Sequence, residues 1–120
     1  MDTEVPTIDP DMDLLDAVEF LLEHHVTGAP VVIEGDKLVG MFTEKDCLKL
    51  LAMGSDNVRA EGRVKDFMTP NPTHVPSHMN VYFAAGVFMN ANYRRLPVVD
   101  DGHLVGAITR FDILRAIKKN

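Results

Sequence analysis

The sequence of 120 residues contains a single cysteine, Cys47, and no apolar run near the roughly 20 residues that a membrane-spanning helix needs. One cysteine excludes an intramolecular disulfide framework and a zinc site built on cysteine ligands. The first residues, MDTEVPTIDPDMD, are acidic and lack the apolar stretch of a secretion signal. We therefore expect no membrane span and a reducing, cytoplasmic location.

Basic residues are also few, with 12 lysines and arginines against 18 acidic residues and a net charge of −6. This balance argues against non-specific binding to nucleic acid or to anionic membranes. The charge is unevenly distributed, because residues 1–51 hold 12 acidic and 3 basic side chains, whereas residues 68–120 hold 3 acidic and 6 basic ones. The apolar fraction of 46% and the length are typical of one compact unit.

Familiar catalytic and metal-binding patterns are missing as well. The sequence has no Ser-His-Asp or Cys-His arrangement and no glycine-rich phosphate loop. Its five histidines are scattered: the adjacent residues His24 and His25 diverge on a helix, and Pro76 separates His74 from His78. We therefore expect no metal site and no enzymatic activity.

The sequence does contain an internal duplication. Residues 7–51 and 74–117 show the same order of residue types, and Pro30 matches Pro97 at an offset of 67 residues. One extra residue in a turn of the first copy then reduces the offset to 66 for the rest of the match. An order that persists over this length indicates two copies of one unit.

The sequence of each copy predicts the same series of elements. A short extended segment at Thr7-Ile8 or His74-Val75 comes first, and a helix, two strands and a second helix follow it. Apolar residues recur at helical spacing in the first helix of each copy, and Asn80 is the expected N-cap of the second of these helices. The β-branched runs on either side of a glycine-containing turn predict a hairpin. Thr43 and Thr109 lie where the N-caps of the last helices belong.

The predicted domain organisation is one repeat in residues 1–55, a connection in residues 56–67 and a second repeat in residues 68–120. A unit of about 45 residues is too small to bury a core of its own, so the copies should pack face to face about a pseudo-twofold axis. This packing leaves two similar clefts where the copies meet. The predicted fold class is therefore α/β (α+β), with two tandem repeats.

Several segments recur in both copies: RLPVVD (95–100) and LVGAITRFD (104–112) match APVV (29–32) and LVGMFTEKD (38–46), and DFMTP (66–70) leads into the second copy. With these segments the chain resembles the CBS-domain family, whose tandem repeats form a CBS pair, or Bateman module. The resemblance covers the chain apart from the first few residues and part of the connection. The resemblance implies a non-enzymatic regulatory module in which each sheet has helices on one side. It also implies that the module binds adenine nucleotides or S-adenosylmethionine in its clefts and forms disc-like dimers.

The pairs Thr109-x-x-Asp112 and Thr43-x-x-Asp46 share their spacing at the start of a predicted helix. The threonine offers a hydroxyl and free N–H groups where the helix dipole favours phosphate, and the aspartate one turn later can accept hydrogen bonds from both ribose hydroxyls. The same spacing suits a capping box, in which the acid bonds back to the N–H of the cap. Spacing alone favours the capping box, whereas the resemblance favours nucleotide binding.

Arg94 and Arg95 precede a strand of the second copy, where the first copy has Thr27 and Gly28. A guanidinium group suits phosphate because its donors form a fixed fork. The alternatives are that both arginines are solvated or that one of them pairs with Asp100. We expect phosphate contact from Arg94 first and from Arg95 second.

In the CBS family each cleft draws on both repeats, and this implies two sets of residues in the present chain. The first predicted cleft, with an apolar surface for the base, comprises Thr7, Met12, Val26, Arg94, Arg95, Thr109 and Asp112. The second comprises Thr43, Asp46, His74, Met79 and Tyr93. The second cleft has no arginine equivalent to Arg94, and His74 replaces the usual threonine, so we expect it to be empty or weaker, with room for adenosine alone.

The predicted function is that of a sensor of AMP, ADP or ATP whose ligand ties the repeats together and signals to a protein partner or an attached domain. No cofactor is required. One alternative is a ligand-independent dimerisation scaffold, and another is a binder of S-adenosylmethionine or of an NAD-type dinucleotide. An enzyme acting on a nucleotide is a third alternative, but it needs a base and usually a metal that the sequence does not supply. Apolar helix faces that remain exposed in a paired module predict a homodimer.

Overall fold

The computed structural model of the protein describes residues 1–53, 61–91 and 93–119. The chain forms two compact units, which we name after the repeat that supplies most of each. The first-repeat unit consists of Pro6–Glu34 and Leu38–Pro72. The second-repeat unit consists of Met1–Val5, Gly35–Lys37 and Thr73–Asn120. Residues 56–60 of the predicted connection lie outside the described residues.

The helices and strands follow the predicted order in each repeat. The helices are α1 (Leu14–His24), α2 (Glu44–Met53), α3 (Val64–Phe67), α4 (Val81–Asn90) and α5 (Arg110–Lys119). The strands are β1 (Gly28–Ile33), β2 (Lys37–Thr43), β3 (Thr69–Pro70), β4 (Arg95–Asp100) and β5 (His103–Thr109). The series helix, strand, strand, helix is therefore confirmed as α1-β1-β2-α2 and as α4-β4-β5-α5.

In the first-repeat unit, α1 packs its apolar face onto the hairpin of β1 and β2. The helix begins after Asp13, whose carboxylate accepts a hydrogen bond of 3.1 Å from the N–H of Leu15. Helical spacing brings Leu14, Ala17 and Leu21 to the same buried side. The core consists of Ile8, Leu14, Ala17, Leu21, Ala29, Val31, Phe42 and Val64.

The predicted extended segment before α1 is present, and it pairs with β1, a contact that the sequence did not predict. Ile8 forms a parallel bridge with Val31, and its N–H donates to the carbonyl oxygen of Pro30 at 3.1 Å. Its own carbonyl oxygen accepts from the N–H of Val32 at 3.0 Å. Ile8 is thereby fixed in the core beside the first predicted site residue, Thr7, which is half-buried.

Residues 61–70 contain structure that sequence patterns did not indicate. Val64 opens the short helix α3, is fully buried in the core and donates its N–H to the carbonyl oxygen of Met12 at 3.0 Å. Strand β3 then pairs antiparallel with β2, with Thr69 opposite Met41. A Cβ atom on Gly40 would meet Met68 Sδ and would lie 3.1 Å from the carbonyl oxygen of Thr69, so this pairing depends on a glycine.

In the second-repeat unit, β4 and β5 form an antiparallel ladder that runs from Arg95 opposite Thr109 to Asp100 opposite His103. The turn between them uses positive φ angles at Asp101 and at the following glycine. The predicted cap of α4 is confirmed, since the Asn80 side chain accepts from the N–H of Phe83 at 2.8 Å. The core consists of Val75, Ala84, Phe88, Leu96, Val98 and Ile113.

The N-terminal residues pair with β5 in the second-repeat unit. The N–H of Asp2 donates to the carbonyl oxygen of Ala107 at 3.0 Å. The N–H of Ala107 donates in return to the carbonyl oxygen of Asp2 at 2.8 Å. A Cβ atom on Gly106 would lie only 2.7 Å from the Asp2 carbonyl oxygen and 2.8 Å from Met1 Sδ. Asp2 on β5 therefore corresponds to Thr69 on β2, and the duplication extends to the segment before each repeat.

Candidate functional site

The candidate site lies in the second-repeat unit, where β5 ends and α5 begins. The backbone N–H of Thr109 donates to Oδ2 of Asp112 at 2.8 Å, and its hydroxyl donates to the same oxygen at 3.2 Å. The N–H of Asp112 in turn donates to Thr109 Oγ1 at 3.3 Å. The capping box that the spacing predicts is therefore present.

The first-repeat unit repeats this geometry at the junction of β2 and α2. The N–H and hydroxyl of Thr43 donate to Oδ2 of Asp46 at 2.8 and 3.2 Å. In both units a single carboxylate oxygen, Oδ2, accepts the capping hydrogen bonds, and Oδ1 is left for another partner. The capping hydrogen bonds therefore occupy only one of the two carboxylate oxygens in each pair.

The two aspartates differ in their surroundings. Only 3% of the Asp46 side chain is exposed, compared with 18% for Asp112. Oδ1 of Asp112 accepts a hydrogen bond of 2.9 Å from Nη1 of Arg115 and lies 3.9 Å from the N-terminal ammonium group. Asp112 thus offers an accessible carboxylate oxygen in a positively charged setting.

The pKa of Asp112 is set by opposing influences. Desolvation by partial burial is the largest single one and raises the pKa. The hydrogen bonds from Thr109 and the positive charges of the N-terminus and Arg115 together outweigh it, so the pKa lies below its usual value. The carboxylate is therefore ionised at neutral pH, which is the form that accepts hydrogen bonds from hydroxyl groups.

Arg95 lies directly opposite Thr109 in the β4–β5 ladder, so both side chains are on the same face of the sheet. Its Nη2 donates to Oδ2 of Asp2 at 2.8 Å. Its Nε is buried without an acceptor among the described residues. Sequence analysis left open a pair with Asp100, which is wrong for Arg95, because its ion pair among the described residues is with Asp2. Asp100 instead accepts from the N–H and the hydroxyl of Ser77.

Arg94 precedes Arg95 and differs from it in its surroundings. The side chain of Arg94 is exposed and forms no ion pair with the part of the chain that the structure describes. Of the two arginines, Arg94 is therefore the one whose guanidinium group is available without breaking an existing contact.

The other residues predicted for the first cleft lie in the first-repeat unit. Thr7 is half-buried, and Met12 and Val26 are half-buried and pack against the core of that unit. The structure thus brings together Arg95, Thr109 and Asp112. Their combination with Thr7, Met12 and Val26 remains a prediction.

The residues predicted for the second cleft are divided in the same way. Thr43 and Asp46 lie in the first-repeat unit, whereas His74, Met79 and Tyr93 lie in the second-repeat unit. His74 is exposed, and Met79 and Tyr93 pack partly buried against the core. This set also remains a prediction.

Sequence analysis missed two residues that contact the site, Asp2 and Arg115. Extending the offset of 67 residues to the N-terminus aligns Met1-Asp2 with Met68-Thr69, and this signal would have grouped the two segments. Arg115 lies three residues after Asp112, a spacing that brings side chains together on a helix.

Cys47 follows Asp46 on α2 and packs half-buried against the core. Burial and, next, the negative charge of Asp46 raise the pKa of its thiol, which therefore stays protonated at neutral pH. Across residues 1–53, 61–91 and 93–119, no group of three or more His, Cys, Asp or Glu side chains is placed to hold a metal ion. None of the helices in these ranges is long and apolar enough to cross a membrane.

The model of the CBS domain family matches residues 1–53 and 64–119. The chain therefore belongs to the CBS-domain family and contains two CBS repeats, as its motifs indicated. The match also corrects one detail, because it includes the first residues, which the resemblance had left out.

Relatives support the same assignment. The chloroplastic CBS domain-containing protein CBSX1 of Arabidopsis thaliana is 33% identical, over 94% of this chain and 59% of its own length. The chain thus spans somewhat more than half of that relative. Among solved structures, CBSX2 of Arabidopsis thaliana in complex with AMP is 35% identical with a TM-score of 0.83, covering 99% of this chain and 92% of the other.

A second ligand complex is also similar. The CBS domain pair of protein MJ0100, in complex with 5′-methylthioadenosine and S-adenosyl-L-methionine, is 28% identical with a TM-score of 0.79, covering 97% of this chain and 93% of the other. The predicted fold, a tandem CBS pair of the mixed α/β class, is confirmed by these structures.

Proposed function

We propose that this CBS pair is a regulatory module that binds an adenine nucleotide, of the class AMP, ADP and ATP, and signals its occupancy to a protein partner or an attached domain. The observation that carries the proposal is the cluster of Thr109, Asp112 and Arg95 at one end of the β4–β5 ladder. The AMP complex of the similar protein CBSX2 supports the ligand class.

The chemistry of the cluster suits an adenosine ligand. Oδ1 of Asp112 is the oxygen that the capping box does not use, and it can accept hydrogen bonds from the ribose hydroxyls once Arg115 turns away. Arg115 is exposed over 70% of its side chain, so this movement is not resisted by packing. A phosphate group would then lie near the N-terminus of the ten-residue helix α5. Arg94 is proposed as a further phosphate contact because its side chain is exposed.

In the predicted first cleft, the base would pack on Met12 and Val26, and Thr7 would add a polar contact. Signalling requires only that the ligand bind one arrangement more tightly than another.

S-adenosylmethionine is the second candidate ligand. The ion pair with Asp2 neutralises Arg95, so that Arg94 is the one of these two arginines left for phosphate. The complex of the MJ0100 pair with methylthioadenosine and S-adenosylmethionine supports this alternative, in which Asp112 would still bind the ribose. An NAD-type dinucleotide would use the same adenosine contacts.

Apolar side chains on the second-repeat unit support a homodimer. The exposed ones on α4 and α5 are Tyr82, Phe83, Met89, Phe111, Leu114 and Ile117. An apolar surface of this kind is commonly covered by a second copy of the same chain. For the compartment we propose the cytoplasm, which suits a free thiol, although the relative CBSX1 is chloroplastic.

A thermal-shift panel tests the proposed function. The ligands are AMP, ADP, ATP, adenosine, S-adenosylmethionine, NAD and GTP, and each is added to the wild type, to Asp112→Asn and to Asp46→Asn. Asparagine keeps an oxygen for the cap but loses the negative charge that binds ribose. A ligand at about 100 times its Kd adds roughly 2.7 kcal/mol, which raises the Tm of a chain this size by several degrees.

We expect an adenosine ligand, and not GTP, to raise the Tm of the wild type and of Asp46→Asn. The shift should be largely lost in Asp112→Asn. No shift with any ligand would instead favour the ligand-independent scaffold. An equal shift in all three proteins would show that Asp112 is not the ribose ligand.

A further inference from the structure

Asp2 contacts the arginine beside the proposed nucleotide site. Its Oδ2 accepts a hydrogen bond of 2.8 Å from Nη2 of Arg95, which lies directly opposite Thr109 in the ladder of β4 and β5. Thr109 is the residue whose N–H and hydroxyl bond to Asp112. The carboxylate of Asp2 therefore contacts the residue that is paired with Thr109, next to the proposed ligand contacts.

We propose that Asp2 is an internal competitor of the ligand's phosphate group for Arg95, and that it sets how strongly the site prefers phosphorylated adenosine ligands. The inference rests on the proposed function, because it assigns a role to Asp2 at that same site. It does not require a particular adenine nucleotide, only a phosphate group on the ligand.

The position of Asp2 is determined by backbone contacts as well as by its charge. Two reciprocal hydrogen bonds of 3.0 and 2.8 Å join Asp2 to Ala107, which lies on the same face of β5 as Thr109. Gly106 allows the Asp2 carbonyl to approach, since a Cβ there would be only 2.7 Å from it. The carboxylate is thus held beside the guanidinium group of Arg95.

The ion pair itself is of a kind that a ligand can replace. Half of the Asp2 side chain and 33% of the Arg95 side chain are exposed, and exposed pairs contribute little to stability. Asp2 contacts Arg95 through one oxygen and one nitrogen, and Nε of Arg95 has no acceptor among the described residues. A phosphate group offers more negative charge and can form two parallel hydrogen bonds, so it can displace the carboxylate.

The other repeat shows that the fold does not require this pair. Thr69 is the counterpart of Asp2 and pairs with β2 in the matching register, while Gly28 is the counterpart of Arg95. The same backbone pairing therefore exists there without either charge. Asp2 and Arg95 therefore form an ion pair that only one of the two repeats has. This difference favours a role of the pair in binding over a role in folding.

Isothermal titration calorimetry with AMP and with adenosine tests the proposal. The proteins are the wild type, Asp2→Asn, Asp2→Glu and Asp101→Asn, all at one salt concentration. Asp2→Asn removes the charge with little change in shape, and Asp2→Glu retains the charge. Asp101→Asn is the matched control for net charge, because Asp101 is exposed in the turn of the same unit and asparagine accepts its positive φ.

We expect Asp2→Asn to bind AMP about fivefold more tightly than the wild type, the size typical of one exposed charge pair, with adenosine affinity unchanged. Asp2→Glu and Asp101→Asn should resemble the wild type. In an Arg95→Gln background, Asp2→Asn should no longer improve AMP binding. Amide exchange at Ala107 checks that the N-terminal pairing with β5 persists in Asp2→Asn.

Four results would overturn the proposal. Equal AMP affinity in the wild type and Asp2→Asn, or an equal gain for AMP and adenosine, would show that Asp2 does not compete with phosphate. A gain of the same size in Asp101→Asn would assign the effect to net charge. If no protein binds either ligand, the proposed function fails, and the inference fails with it.

Discussion

At the scale of single residues, the carboxylate of Asp112 accepts the capping-box hydrogen bonds of Thr109 and is also the proposed ribose ligand. Its pKa in the folded protein is lowered, although partial burial, the largest single influence, acts to raise it. An aspartate in an unfolded chain titrates near a pKa of about 3.9. The charge therefore stabilises the fold fully above that pH, and the stabilisation is lost as the pH falls through the lower pKa of the folded protein.

This linkage predicts how the Tm of Asp112→Asn compares with that of the wild type. We expect the wild type to melt at the higher temperature, with a constant difference above about pH 5 and a shrinking difference below about pH 4. Circular dichroism melts from pH 7 downwards measure both Tm values. A difference that grows on acidification would contradict the assigned direction of the pKa.

Some residues of the candidate site could be predicted from the sequence, and others could not. Thr109 and Asp112 were predictable, because a cap and the acid one turn later are local in sequence. The exposure of Asp112, compared with the burial of Asp46, depends on tertiary packing that spacing does not encode. Asp2 was missed because its contact with Arg95 spans 93 residues of sequence.

At the scale of elements, the helices and hairpins were predictable and the shortest segments were not. The helices and the long strands carry apolar periodicities of 3.6 and 2 residues. Strand β3 has two residues and no period, and its partner is β2, almost thirty residues earlier. Residues 61–67 were assigned to the connection, yet Val64 lies in the core of the first-repeat unit.

The burial of Val64 predicts the cost of truncating it. We expect Val64→Ala to lower the free energy of unfolding by about 2 kcal/mol, because it removes two buried methyl groups and leaves a cavity. Val105→Ala is the matched control, since that valine is exposed on β5. Urea denaturation measures both changes, and equal losses for the two variants would contradict a structural role for α3.

At the scale of the whole molecule, the duplication has produced two repeats that share a backbone structure and differ in charge. Both repeats carry Thr-x-x-Asp with the same hydrogen-bond lengths. The arginines lie in the second copy, and the excess of acidic residues lies in the first. This difference is the basis of the prediction of one stronger ligand site and a second that is weaker or empty, and it stays a prediction.

The proposed homodimer is tested by sedimentation velocity. We expect the wild type to sediment as a dimer at tens of micromolar, because apolar side chains on α4 and α5 are exposed. Ile117→Glu places a charge among them and should shift the protein towards monomer. Lys118→Glu alters the neighbouring exposed residue as a control, and a wild type that sediments as a monomer would contradict the proposal.

The proposed function requires an adenosine ligand to bind at the junction of β5 and α5. Its most direct test is a titration of ¹⁵N-labelled protein with AMP, followed by NMR of the backbone amides. We predict the largest shift changes at Thr109, Asp112 and Arg95, with smaller ones at Thr43 and Asp46. Changes centred on Thr43 and Asp46 instead, or no saturable change at any amide, would contradict binding at that junction.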